Sequence, residues 1–207
     1  DIELMAAITP SDKPYLKTGV FETWRSRIIW LMLLMVSATF TSRILTHFED
    51  ALASLPILVA FVPQLMDTGG NAGGQASVSV IRALSLGDIQ MKDFMRVLWK
   101  EFRVALLCGL TLAVVNFVKM MIFNDVSRSV YGVSMSLIIS AVVCVTIALA
   151  VVIAKVIGSM LPILAKRIGF DPAVMASPLI TTIVDVVSLL VYFLISTTVL
   201  SHAGLAL

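Results

Sequence analysis

Residues 175–192 read MASPLITTIVDVVSLLVY, an apolar stretch with a single carboxylate, Asp185, near its centre. A helix needs about 20 mostly apolar residues to cross a bilayer, so we predict a transmembrane helix over about 173–200. A carboxylate at membrane depth disfavours insertion by about 2.5–3.5 kcal/mol, and such groups face a wet cavity or a partner rather than lipid. The stretch therefore predicts a membrane fold with a polar site inside it.

Four further apolar stretches extend this prediction along the chain. Of the 207 residues 59% are apolar and 14% are charged, and the mean hydropathy is +1.01. This composition excludes a soluble globular domain, and the net charge of +2 gives no reason to expect a nucleic-acid partner. The ten-residue alternation of a membrane barrel is absent from the sequence. We predict an all-α membrane protein with five transmembrane helices, at about 28–45, 51–86, 104–123, 130–160 and 173–200.

Basic residues predict the orientation of these spans. With the N-terminus in the cytoplasm, twelve of the fifteen basic residues lie on the cytoplasmic side, as the positive-inside rule favours. Arg43, Lys119 and Arg128 remain for the outer side. An odd number of spans then places the C-terminus outside. Residues 87–103 are charged and amphipathic, which predicts either an interfacial helix on the cytoplasmic face or a solvated loop.

The second predicted span carries a polar stripe. Four-residue steps align its polar side chains with Pro63 on one helical face: Asp67, Asn71, Gln75 and Ser79. Such a stripe needs a bundle interior or water to face. Gly69, Gly70, Gly73 and Gly74 form two overlapping pairs of small residues, which favour close helix packing. Dense glycines also permit local unwinding, which would expose backbone carbonyls to a hard cation.

The last predicted span carries a second polar face. Ser177, Thr181, Asp185 and Ser188 follow one another in steps of four, four and three residues. Oxygen ligands of this kind suit hard divalent cations, and no histidine or cysteine joins them to favour zinc or copper. Three roles remain open for Asp185: cation binding, proton relay, or a structural ion pair with Lys119. In a symmetric dimer, two copies of Asp185 near the axis would balance one divalent ion.

Enzymatic chemistry is not expected from this chain. Neither a nucleotide-binding P-loop nor a serine nucleophile motif occurs in the sequence. Cys108 and Cys144 lie in separate apolar runs without metal-ligand spacing, which is typical of small core residues. The chain begins at Asp1 without methionine or a signal-peptide pattern, so we expect it to be part of a longer protein.

Three stretches resemble one family of membrane proteins, the MgtE magnesium channels. They are PQLMDTGGNAGGQ at 63–75, DPAVMASPLITTIVD at 171–185 and AAITPSDKPY at 6–15. The resemblance covers nearly the whole chain. It implies a channel domain over residues 25–207, working as a homodimer with the ion path along the dimer axis, preceded at 1–24 by a cytoplasmic linker and the end of a "plug" helix.

The resemblance also implies roles for individual residues. The acid at the position of Asp185 binds a hydrated Mg²⁺ in the pore. Asp171 corresponds to an acid at the cytoplasmic mouth that takes part in closure by regulatory Mg²⁺, and Asp1 corresponds to an acid on the plug helix. The remaining pore-lining candidates are Thr181, Ser177, Ser188, Asp67, Asn71 and Gln75. The family's cytoplasmic regulatory domains are absent from this chain.

The function expected from the sequence is therefore passage of Mg²⁺, and of other divalent ions such as Co²⁺, down the electrochemical gradient. The expected location is the inner (plasma) membrane of a prokaryote, with the lipid bilayer, Mg²⁺ and a second copy of the chain as partners. Two alternatives stay open. One is a Na⁺- or H⁺-coupled Mg²⁺ exchanger, and the other is a membrane scaffold that transports nothing.

Overall fold

The chain folds into helices throughout the part that the structure describes. The structure is a computed structural model and describes residue 8 and residues 14–123, 125–175 and 177–202, without the side chains of residues 51, 52, 174, 175 and 177. The α-helices are α1 (Val20–His47), α2 (Glu49–Ser54), α3 (Ile57–Leu86), α4 (Phe94–Phe123), α5 (Arg128–Tyr131), α6 (Val133–Arg167) and α7 (Ser177–His202). Short 3-10 turns lie at Tyr15–Lys17, Met91–Asp93 and Pro172–Met175. No strand occurs within these described ranges.

Among the residues that the structure describes, four helices are long and apolar enough to cross a membrane: α1, the segment Met91–Phe123 that contains α4, α6, and nearly all of α7. The all-helical membrane class expected from the sequence is thereby confirmed. Helix α3 has 30 residues, about 45 Å, and is equally long, but its polar stripe lowers its hydropathy below that of the other four.

Two expected helix boundaries are wrong. The span predicted over 51–86 is interrupted at Leu55–Pro56, where α2 ends and α3 begins, because proline lacks the N–H that a continuous helix requires. Residues 87–103 do not form a separate interfacial helix. After the turn at Met91–Asp93 the chain enters α4 at Phe94 and stays helical to Phe123, since no proline or glycine interrupts its first turns.

Helix α6 is the centre of the bundle. It packs against α3, α4 and α7, while α3 also packs against α7. Helices α3 and α4 hardly touch each other, and α1 packs chiefly against α7. Most of the apolar surface of α1 is therefore uncovered within one chain.

Glycines set the distance between α3 and its neighbours. A Cβ atom on Gly158 of α6 would overlap the backbone of Gly73 of α3, and one on Gly69 would lie 3.1 Å from Ser188 Oγ of α7. Small residues therefore allow direct backbone approach, as the sequence pattern predicts. The local unwinding that the glycines would permit does not occur, because α3 is continuous from Ile57 to Leu86.

One long-range hydrogen bond ties α7 to the start of α3. The Tyr192 hydroxyl donates to the Leu58 carbonyl oxygen at 2.9 Å, and both residues are buried. Tyr192 lies two turns beyond Asp185 on α7. This hydrogen bond therefore helps to hold α7, the helix that carries Asp185, against α3.

Candidate functional site

A cavity of about 900 Å³ lies between α3 and α7, and it contains most of the polar residues singled out in the sequence. Helix α7 contributes Thr181 and Asp185. Helix α3 contributes Met66, Asp67, Gly70, Asn71, Gly74, Gln75, Val78 and Ser79. We call this space the α3–α7 cavity.

Asp185 is the carboxylate that α7 presents to the α3–α7 cavity. Its Oδ1 atom is buried and receives no hydrogen bond from any described residue. The structural ion pair with Lys119 is not formed, because the Lys119 ammonium lies 3.1 Å from Asp125 Oδ2. Since Asp185 also lines the cavity, its carboxylate is the acidic group of α7 that could attract a cation or its water shell there.

The polar stripe of α3 forms the opposite wall. Asp67, Asn71, Gln75 and Ser79 all line the cavity, which confirms that they share one face. Asn71 Nδ2 donates to Asp67 Oδ1 at 3.0 Å, one helical turn away. All four side chains are exposed in a single chain. Gly70 brings Thr181 close to the α3 backbone, since a Cβ atom there would lie 2.9 Å from Thr181 Cγ2.

The other candidates lie elsewhere. Ser188 is fully buried, and its hydroxyl lies beneath Gly69 rather than in the cavity. Asp171 is exposed just before α7, where its Oδ1 accepts a hydrogen bond from the Ala173 N–H at 2.9 Å. The side chain of Ser177, and Asp1 with the rest of the plug-helix segment 1–7, lie outside the described residues.

The arrangement suits a cation that keeps part of its hydration shell. The cavity offers carboxylate, amide and hydroxyl oxygens. Among the described residues no three His, Cys, Asp or Glu side chains gather closely enough to hold a bare metal ion. A volume of about 900 Å³ leaves room for several waters, each of which occupies about 30 Å³ in the liquid.

Sequence reasoning missed two polar features. Gln64 Nε2 donates to Asn116 Oδ1 at 2.6 Å, which joins α3 to α4, two helices that otherwise hardly meet. The partner of Gln64 is 52 residues away, so no local pattern could reveal it. Lys155 was counted among the cytoplasmic basic residues, but it is only 5% exposed inside α6. Lys155 lies 22 residues after the start of a very apolar helix, and this position in the sequence could have indicated that it is buried within the bundle.

Comparison with known proteins agrees with this geometry. The family model "MgtE: Divalent cation transporter" matches residues 62–195. The chain is 38% identical over 192 residues to "Magnesium transporter MgtE" of Thermus thermophilus, a match that covers 93% of this chain and 40% of the relative. It is 32% identical to "Magnesium transporter MgtE" of Bacillus subtilis over 83% of this chain and 36% of the relative. The chain thus spans less than half the length of these relatives.

The family model describes a transporter and not an enzyme, in agreement with the expectation from the motifs. Bacterial relatives and several membrane-length helices identify a multi-pass protein of the prokaryotic inner (plasma) membrane. The family model covers most of α3, all of α4 and α6, and the part of α7 that contains Asp185, including both walls of the α3–α7 cavity. The chain therefore belongs to the MgtE family of divalent cation transporters.

Proposed function

We propose that this chain is the membrane domain of a Mg²⁺ channel in which Asp185 holds the hydrated ion within the α3–α7 cavity. The observation that carries the proposal is that Asp185 lines a polar cavity at membrane depth and that its carboxylate is not neutralised, since its buried Oδ1 atom has no partner among the described residues. A carboxylate in this position needs a compensating positive charge. Mg²⁺ is reluctant to give up water, so the side chain contacts the ion through its water shell.

We further propose that two copies of the chain enclose the ion path. Asp67, Asn71 and Gln75 are exposed in one chain although they lie in the middle of a membrane-length helix. Lipid cannot satisfy such groups, whereas a second polar stripe and the water between the two copies can. Two Asp185 carboxylates then balance the charge of one divalent ion. In this arrangement α3 is the fifth transmembrane span, the N-terminus lies in the cytoplasm and the C-terminus lies outside.

Membrane potential provides the driving force. Moving two charges through 100 mV supplies about 4.6 kcal/mol, from about 2.3 kcal/mol per charge. No second coupled ion is needed to move Mg²⁺ inward. The regulatory role expected for Asp171 belongs to the same proposal, because its exposed position ahead of α7 leaves one carboxylate oxygen available to a cytoplasmic ion.

Mg²⁺ influx into proteoliposomes tests the proposal. Asp185→Asn keeps the shape of the side chain and removes its charge, so we expect at least a tenfold loss of flux with unchanged thermal stability in detergent. Asp88→Asn is the matched control, since Asp88 is exposed in the loop after α3. Wild-type flux from Asp185→Asn would remove Asp185 from the mechanism.

The same assay separates the channel from the alternatives. A channel passes Mg²⁺ under a potassium-diffusion potential without any Na⁺ or H⁺ gradient. Flux that appears only when such a gradient is imposed would establish a coupled exchanger. If correctly folded wild-type protein gave no flux under either condition, the remaining explanation would be a membrane scaffold that transports nothing.

A further inference from the structure

A second cavity lies on the other side of the α3 polar stripe. It has a volume of about 510 Å³ and opens between α3 and α4, with α6 as its floor. We call it the lateral cavity. Its walls are Thr68, Ala72, Leu107, Cys108, Thr111, Leu112 and Val151, together with Asp67, Asn71, Gln75 and Lys155. We propose that Lys155 is a built-in counter-cation for Asp67 across this cavity, so that Asp67 contributes little negative charge to the ion path.

Lys155 is the unusual residue of the lateral cavity. It is 5% exposed, and it lies twelve residues, about 18 Å, before the end of α6, within the membrane-length part of the helix. A buried ammonium at this depth requires an anion or water at close range.

Among the described residues that line the lateral cavity, Asp67 is the one carboxylate. It also lines the α3–α7 cavity, so it stands between the two spaces. Asn71 Nδ2 holds its Oδ1 atom, which leaves Oδ2 without a donor among the described residues. The electric field of Lys155 therefore acts on a carboxylate that also faces the ion path, through the cavity rather than through a direct ion pair.

The charges of the lateral cavity disfavour other occupants. Its two charged residues have opposite signs and sum to zero. An external anion near Lys155 would be repelled by Asp67, and a second Mg²⁺ near Asp67 would be repelled by Lys155. Water between the two side chains satisfies both of them.

The inference rests on the proposed function and makes it more specific. If Lys155 offsets Asp67, the charge that attracts the permeating ion comes mainly from Asp185. Removing Lys155 adds a second effective carboxylate to the ion path, and removing Asp67 adds a positive charge beside it. Opposite effects on the Mg²⁺ concentration that half-saturates flux are therefore expected from the two substitutions.

Lys155→Met, Asp67→Asn and the double variant test the pair in proteoliposomes. A unit charge near a divalent ion in a partly hydrated site shifts its affinity on the order of tenfold. We expect Lys155→Met to lower the half-saturating Mg²⁺ concentration by this factor and Asp67→Asn to raise it. In the double variant the half-saturating Mg²⁺ concentration should return to within about twofold of the wild-type value, because the effects of substituting two coupled charges are not additive. Lys100→Met, at an exposed position on α4, is the control.

Thermal stability in detergent without Mg²⁺ provides an independent readout. Each single variant leaves one charge uncompensated and should unfold at a lower temperature, and the double variant should recover most of the loss. If the two substitutions had additive effects on the unfolding temperature and on the half-saturating Mg²⁺ concentration, the proposed pairing of Lys155 with Asp67 would be wrong. Since the stability cycle needs no transport, its result is independent of the Asp185→Asn flux test of the proposed function.

Discussion

One face of α3 packs closely against other helices, whereas the opposite face is open to two cavities. On one face, Gly69 and Gly73 are buried and bring the backbone directly against α6 and α7. On the other face, Asp67, Asn71 and Gln75 remain exposed towards two cavities. The difference shows that close packing holds the polar stripe open rather than covering it. Substitutions on the packed face should therefore change stability, and substitutions on the open face should change ion passage.

The largest expected effect concerns the packed face. In Gly158→Ala the new Cβ atom would overlap the backbone of Gly73, which side-chain adjustment cannot relieve. Helices α3 and α6 must then separate, and we expect a loss of stability of about 3 kcal/mol, measured as a lower unfolding temperature in detergent. Gly19→Ala is the control, because nothing lies within 4 Å of a Cβ atom at that position. Wild-type stability of Gly158→Ala would contradict the packing described for this face.

A smaller effect is expected on the open face. Asn71→Leu removes the donor that holds Asp67 Oδ1 and places an apolar side chain in the α3–α7 cavity. We expect Mg²⁺ flux to fall about tenfold, which corresponds to 1.4 kcal/mol, while the unfolding temperature changes little. If stability fell as far as it does in Gly158→Ala, the distinction between the two faces of α3 would be lost.

The smallest effect concerns the tie between α3 and α4. Asn116→Leu removes the acceptor of Gln64 Nε2, and hydrogen bonds between membrane helices contribute about 0.6 kcal/mol on average. We expect a destabilisation of about 1 kcal/mol, because Gln64 loses this acceptor in a half-buried position. Thr111→Val on the same helix is the control, since its hydroxyl bonds only within α4. An increase in stability would show that the Gln64–Asn116 bond is strained rather than stabilising.

Local periodicity was sufficient to predict the polar site. Four-residue spacing placed Asp67, Asn71 and Gln75 on one face of a helix, and these residues do line a single cavity with Asp185. Spacing on one helix could not show what lies opposite. Ser188, three residues after Asp185, was predicted on the same face of α7, yet it is buried under Gly69, because the two helices approach too closely there for the cavity to extend.

Partners distant in sequence were beyond prediction for the same reason. The glycine pairs of α3 predicted close packing but did not identify Gly158 as their counterpart 85 residues later. Lys155 belongs to no sequence motif. Its position on the wall of the cavity that Asp67 also lines depends on how α6 crosses α3. The predicted helix boundaries also differ from the observed ones where a single residue determines the boundary, as at Pro56 before α3.

A cryo-EM map of the protein in Mg²⁺, compared with one in EDTA, would show where the ion lies relative to Asp185. We expect a dimer with one Mg²⁺-dependent density on its twofold axis, about 4 Å from the carboxylate of each Asp185, as for an ion held through its water shell. We also expect this density to be absent from Asp185→Asn. An Asp185 side chain that faces lipid, or an ion density unaffected by the substitution, would contradict the account.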